Sequence, residues 1–256
     1  MARIISVISG KGGVGKTTTV SNLGAALVNK GKSVILIDAN VTTPNLSLHL
    51  GIPFYPITLH DVLKKKAPIE AAMYDHPSGM KIIPASLAVD SMKGINIEKL
   101  EKALWSLLGS ADIILVDSAA GLGKEALTSM RLADQLLIVT NPDLPSVTDA
   151  LKTIKLAEEN DTDVLGVVVN RYKGRKHELK ISEIRSMLDA PIITIVPEDP
   201  SVPKSIRKRK PVVHHKPRSR ASSAFNKLAS RIVGESFVER VENKKSWFDR
   251  LTFWFR

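Results

Sequence analysis

Ten residues, Ser9-Gly10-Lys11-Gly12-Gly13-Val14-Gly15-Lys16-Thr17-Thr18, restrict this chain more than any others. The apolar run Ile4-Ile5-Ser6-Val7-Ile8 precedes them and reads as a strand; Thr19–Val28 follows and reads as a helix. Strand, glycine-rich loop and helix, with Gly10 four residues ahead of Gly15-Lys16-Thr17, is the arrangement of a phosphate-binding loop. Glycine takes dihedrals closed to other residues, so backbone N–H groups can turn toward phosphate oxygens. The helix N-terminus adds partial positive charge at the same point. Lys16 offers a mobile charge to the β- and γ-phosphates, and the Thr17 hydroxyl a ligand to Mg²⁺.

The rest of the chain repeats one theme. Apolar runs recur at Val34–Ile37, Lys81–Ile83, Ile113–Val116, Leu136–Val139, Val164–Val169 and Ile192–Val196, with helical patterns between most of them. Near-continuous apolar strands alternating with helices predict an α/β, three-layer fold, a mostly parallel central sheet flanked by helices on both faces. In such sheets ligands bind at the carboxyl ends of the strands. Asp38 and Asn40 follow the second run, and Asp117 ends Ala111-Asp112-Ile113-Ile114-Leu115-Val116-Asp117. A carboxylate in Asp117's position lies beside the phosphate loop and holds Mg²⁺ through water. Lys204–Arg220, rich in charge and proline, is the one stretch that reads as low in order.

Lys11 is not needed by an ordinary phosphate loop. The string Gly10-Lys11-Gly12-Gly13-Val14-Gly15-Lys16-Thr17-Thr18 resembles the deviant Walker A of the MinD/ParA family of P-loop ATPases, and most closely its MinD members. The resemblance covers roughly residues 1–241. It implies ATP and Mg²⁺ as cofactors, an ATP-dependent homodimer, and a Lys11 that reaches the partner's nucleotide. It implies that Asp38 orders a water on Mg²⁺ and that Gly121 meets the γ-phosphate. Thr140–Ala150 resembles the family's partner-facing loop and helix start, which places Ser146 and Asp149 at a dimer interface; the same residues also read as a helix entry, with Pro145 near the first turn and Asp149 favourable to the dipole. Asn170, beside Arg171, is expected on the adenine ring, and Pro197-Glu198-Asp199 in the loop that closes the base pocket. The family's second switch carboxylate is replaced by Asn40. An asparagine orients water through its amide oxygen but takes no proton, so the resemblance implies slow hydrolysis. Lys11, Lys16 and Asn40 are the expected catalytic set.

Composition narrows the function further. The chain has no cysteine, which excludes disulfides, thiolate metal sites and the iron–sulfur branch of the family. It begins directly in a strand and has no apolar run long enough to span a bilayer, so a cytoplasmic protein is expected. All of the net charge of +11 falls in Lys204–Arg256, where fifteen Lys and Arg face four Asp and Glu. That asymmetry predicts an anionic partner. The basic run Arg207-Lys208-Arg209-Lys210 suits DNA, as in ParA-type relatives.

The last thirteen residues, Lys244–Arg256, suit a membrane surface. On a helical wheel Trp247, Phe248, Leu251, Trp254 and Phe255 fall within an arc of about 120°, opposite charged residues. Such a helix is about 20 Å long, too short to cross a core of about 30 Å but suited to lie in the headgroup boundary. One tail binds weakly once its ordering is subtracted; two on one dimer gain about 10²–10⁴-fold. The expected organisation is an ATPase domain over 1–241 and a membrane-targeting segment over 242–256. The expected partners are a second copy, an anionic membrane at the inner face of the cell, and a regulatory protein, with DNA as the alternative.

Overall fold

The computed structural model describes residues 2–52 and 54–235. The tail residues Trp247, Phe248, Leu251, Trp254 and Phe255, and the expected boundary after residue 241, lie outside the described residues.

The elements run β1 (Arg3–Ser9), α1 (Lys16–Val28), β2 (Val34–Asp38), α2 (Leu46–Leu50), α3 (Leu59–Leu63), β3 (Tyr74–Asp75), β4 (Lys81–Ile83), α4 (Leu100–Trp105) and β5 (Ile113–Ala120). They continue α5 (Lys124–Arg131), β6 (Gln135–Thr140), α6 (Leu144–Glu159), β7 (Asp163–Tyr172), α7 (Ile181–Leu188), β8 (Ile192–Pro197), α8 (Ser201–Arg207), α9 (Val212–His215) and α10 (Arg220–Ile232). Every apolar run read from the sequence is a strand. They form one sheet in the order β3-β4-β2-β5-β1-β6-β7-β8, parallel throughout except at β3. β3 escaped the sequence reading because two residues carry no periodicity. Tyr74 fixes it, its hydroxyl donating to the Ile57 carbonyl at 2.9 Å and lying 3.1 Å from the Ile57 N–H.

Side-chain alternation sorts the strands onto two covered faces. Ile5, Val7, Leu36, Leu115, Val139 and Val168 pack under α1, α2, α9 and α10. Ile35, Ile37, Ile114 and Val116 face α3 and α4, while Ile8, Ile138, Val167 and Val169 face α5, α6 and α7. α1 lies so close to the sheet that a Cβ on Gly24 would sit 2.6 Å from the Met80 sulfur and 2.8 Å from Leu36. Gly24→Val should therefore destabilise the fold by about 1–3 kcal/mol, the usual range for overpacking, read as a lower denaturant midpoint at unchanged slope.

The low order expected for Lys204–Arg220 is corrected by the structure. The segment forms α8 and α9 and anchors on α1: the buried Asn22 Oδ1 accepts from Val212 N–H at 2.6 Å and from Val213 N–H at 3.3 Å. Two adjacent valines, both buried, outweigh the surrounding charge. α10 packs down through Ala221, Phe225, Leu228 and Ile232, with Val233 half-buried beside them, as the helical spacing predicts. The described chain ends at Glu235, paired with Lys30 at 2.8 Å.

Candidate functional site

β1 lies in the middle of the sheet, between β5 and β6, where the order of strands reverses; its carboxyl end opens into the glycine loop. The loop needs its glycines for different reasons. Gly13 and Gly15 hold φ of 79° and 102°, in the left-handed region. Gly10 is a close approach: a Cβ there would lie 2.5 Å from the Asp149 carbonyl oxygen and 2.7 Å from Asp149 Cβ. Gly10→Ala should push the loop off α6 and weaken nucleotide binding by about tenfold or more, measurable by calorimetric titration with ADP. The first α1 backbone bond closes at Thr19 N–H to Gly15 C=O, 2.9 Å. No side chain caps α1 and no acidic residue stands in its first turn. The amides ahead of Thr19 therefore point into the loop as anion donors.

The two lysines of the loop differ. Lys16 is buried, and burial lowers its pKa against the opposing pull of Asp117 and Asp38. Lys11 is exposed and has no ion-pair partner among the described residues. Its backbone carbonyl accepts from the Ser9 hydroxyl at 2.8 Å, so the main chain is held while the side chain stays free.

Asp38 and Asp117 stand side by side in the register of β2 and β5, and both are buried. Burial raises the Asp38 pKa well above the carboxylate range, with the Asp117 charge adding to it. Its oxygens accept from Asn40 N–H at 3.3 Å, Asn45 N–H at 3.1 Å and Leu46 N–H at 3.0 Å, which ties the start of α2 to the end of β2. Burial pushes Asp117 up to about 6, opposed by the Thr17 hydroxyl and by Lys16. Asp117 Oδ1 is buried with no hydrogen-bond partner. A divalent cation fits that orphaned oxygen, the neighbouring carboxylate and the Thr17 hydroxyl. No cluster of three or more His, Asp or Glu side chains suited to a metal occurs among the described residues. An ion here would therefore complete its shell with water and phosphate oxygens.

The other expected residues are held by contacts within the chain. The Asn40 side chain is turned in on its own loop: Nδ2 donates to the Thr43 carbonyl at 2.7 Å, and Oδ1 accepts from the Thr43 N–H and hydroxyl at 3.2 and 3.1 Å. Gly121 N–H donates to the Ser9 carbonyl at 3.0 Å. Asn170 is buried beneath the loop, its Nδ2 donating to the Val14 carbonyl at 2.7 Å and blocking any Cβ at Gly15. Asp199 is buried and accepts from Ser201 N–H at 2.8 Å and Ala221 N–H at 3.1 Å, joining the starts of α8 and α10. Arg171 and Glu198 line a cavity of 310 Å³ with Asn141, Asp143 and Lys173, at the carboxyl ends of β6, β7 and β8. Pro197 ends β8 beside it.

Ser146 does not face outward. It is buried and serves the cap of α6, its N–H and hydroxyl donating to Asp143 at 3.0 and 2.8 Å. Asp143-x-x-Ser146 is a cap spacing legible in the sequence. Asp149 is half-buried and pairs with Lys152 at 3.1 Å. At this end α6 presents Leu144, 56 % exposed, and Pro145 to solvent; the sequence reading passed over Leu144. It also passed over Glu125, which accepts from the Thr42 hydroxyl and so links α5 to the loop after β2.

Comparison with known proteins agrees with this geometry. The family model described as ParA, NUBPL iron-transfer P-loop NTPase, matches residues 1–233. Iron bound through thiolates is closed to this chain, which has no cysteine. An uncharacterised ATP-binding protein of Methanocaldococcus jannaschii is 39 % identical over 248 residues, 97 % of this chain and 94 % of that one. The septum site-determining protein MinD of Pyrococcus horikoshii, solved with Mg-ADP, superposes with a TM-score of 0.87 at 36 % identity, covering 91 % of this chain and 96 % of that one. MinD in the MinC:MinD cell division complex of Aquifex aeolicus superposes at 0.84 and 36 % identity, covering 93 % and 98 %. With its glycine loop, paired carboxylates and sheet order in place, the chain belongs to the ParA family of P-loop ATPases and is related within it to the septum site-determining MinD proteins.

Proposed function

We propose that the protein is a Mg²⁺-dependent ATPase that pairs when ATP is bound and holds a membrane surface only as a pair. The observation that carries this reading is Lys11: an exposed cation on a nucleotide loop, its backbone pinned and its side chain without an ion pair among the described residues. A second copy facing the loop would bring a triphosphate within reach of it. Lys16 and the α1 amides hold the β- and γ-phosphates, and Thr17 with Asp117 would hold Mg²⁺, which neutralises charge developing on the phosphates. Lys11 adds cationic charge from across the interface. Asn40 orients the attacking water once released from Thr43, and hydrolysis is slow because an amide takes no proton. Asn40→Asp, which also loses the donor to Thr43, should raise turnover by about tenfold or more. Unchanged phosphate release would exclude Asn40 from water positioning.

Pairing brings two aromatic C-terminal segments together, and the gain in effective concentration turns weak lipid affinity into attachment. Hydrolysis separates the copies and frees them. The protein would thus work in the cytoplasm and at the inner face of the cell membrane, positioning or recruiting other components, with a regulatory protein partner as in the Aquifex complex. No helix among the described residues is long and apolar enough to cross a membrane, in keeping with peripheral attachment.

Co-sedimentation with anionic vesicles in ATP and in ADP tests the reading, with duplex DNA in parallel. Vesicle binding that needs ATP and residues 242–256 supports it. DNA binding that survives removal of those residues, without vesicle binding, favours a ParA-like DNA-positioning role. That alternative rests on Arg207, Lys208, Arg209 and Lys210, all exposed and without ion pairs among the described residues.

A further inference from the structure

A second cavity, of 390 Å³, lies between the end of α2, the turn joining β3 to β4, and the segment joining α8 to α9. Its polar lining is His76, Ser78, Arg209, Lys210 and His214, with no acidic side chain among the lining residues. Neither Arg209 nor Lys210 has an ion-pair partner among the described residues. Arg209 holds φ at 55°, a conformation that residues with side chains rarely adopt. Gly51 is pressed against it: a Cβ there would lie 2.9 Å from Arg209 Cβ.

The two rings are fixed as well. His76 Nε2 lies 2.8 Å from the Leu50 carbonyl and so carries the proton, leaving Nδ1 to accept from the Ser78 N–H at 3.1 Å. His214 Nε2 sits 3.1 Å from Asn29 Oδ1. Burial, then proximity to His76, lowers the His214 pKa. The cavity is thus a fixed, cation-rich concavity whose charges find no ion-pair partner among the described residues.

We propose that this cavity binds a phosphate-bearing anion, with Arg209 and Lys210 making the charged contacts and His76 and His214 forming its polar wall. A guanidinium fork matches two phosphate oxygens and an ammonium a third. The volume suits one small phosphorylated group. A DNA duplex is a rod, and its phosphates reach only the rim of such a concavity; Arg207 and Lys208, the other half of the basic run, do not line it. Asn29, which holds His214, neighbours Lys30, and Lys30 pairs with Glu235, where the described chain ends. The phosphate could come from a lipid headgroup or from a free small molecule; the contacts are the same.

The test uses the full chain with Mg-ADP saturating the glycine loop and glycerol phosphate as the probe. Of the six histidines, His76 and His214 should show saturable NMR shifts. The double variant Arg209→Gln/Lys210→Gln should weaken the probe at least about tenfold; Arg207→Gln/Lys208→Gln, removing equal charge, should change it less than about twofold. Phosphatidic acid vesicles form the second arm, with Mg-ATP in place of Mg-ADP. Vesicle binding lost with the first pair and kept with the second assigns the phosphate to lipid; equal vesicle binding with divergent NMR affinities assigns it to a free molecule. No saturable shift at either ring in the unsubstituted chain overturns the site, whatever the variants' stability. Equal loss with both pairs also overturns it, in favour of a diffuse positive field. A chain that binds no vesicles in any nucleotide state leaves the NMR arm intact, so this site and the membrane reading fail separately.

Discussion

Lys11→Ala should lower multiple-turnover ATP hydrolysis by about 10³-fold, as expected for removing a transition-state cation supplied across an interface. The variant should still fold and bind ADP. Its side chain is exposed and without an ion pair among the described residues, and the hydrogen bond that holds the loop here, from the Ser9 hydroxyl, goes to the Lys11 carbonyl, which alanine keeps. Its stability should change by no more than about 0.5 kcal/mol. Lys16→Ala should behave otherwise, losing nucleotide affinity itself, because Lys16 is the buried cation beside Asp38 and Asp117. The contrast is the informative result: phosphate release lost with ADP affinity kept for one lysine, both lost for the other. If Lys11→Ala hydrolyses ATP at the unsubstituted rate, the cation does not act at the phosphates.

Asp117→Asn should stabilise the nucleotide-free protein while lowering turnover by about 10²-fold or more. Asp117 is buried next to Asp38, and its carboxyl is raised to about 6 from an ordinary value of 3.8. Because the folded-state pKa lies above the unfolded one, the folded state binds the extra proton across that interval. Stability is therefore fully present below about pH 4, falls as pH rises toward about 6, and stays reduced above it. The shift corresponds to a loss of order 3 kcal/mol. Asparagine carries no such charge, so above pH 6 the variant should melt roughly 5–10 °C higher, with the gap closing toward pH 4. The same cost of burying the charge, offset by a divalent cation, should make Mg²⁺ raise the melting temperature of the unsubstituted protein and leave the variant nearly unmoved. A variant that melts lower at neutral pH would show that the carboxylate contributes net stability.

Much of the frame was legible in the sequence, for a physical reason. Parallel strands covered on both faces must be apolar almost throughout, so Val34–Ile37 or Leu136–Val139 announce themselves without any partner being known. The glycine loop was equally legible, since Gly13 and Gly15 take conformations that other residues resist. What stayed hidden depends on contacts between distant parts of the chain. Val212 and Val213 lie in a charged, proline-rich stretch, and the acceptor that orders them, Asn22, is some 190 positions away. Ser146 read equally as cap and as interface residue from the string around it; Asp143 in the same turn holds it in the cap of α6. Asn170 reads as a base contact on the resemblance alone; its hydrogen bond to Val14, which braces the loop, is not legible in the sequence. Asn40 shows the limit most clearly: the substitution was visible, but its closure onto Thr43 depends on how Asp38 gathers the loop.

The central claim is that a bound triphosphate joins two copies. Molar mass by sedimentation equilibrium, in saturating Mg-ATP and without lipid, tests it most directly, best on a variant or analogue that does not turn over. The single chain is 28.0 kDa. The account predicts twice that mass with ATP, the single mass with ADP, and the single mass in both for Lys11→Ala. A single mass with ATP bound would contradict it.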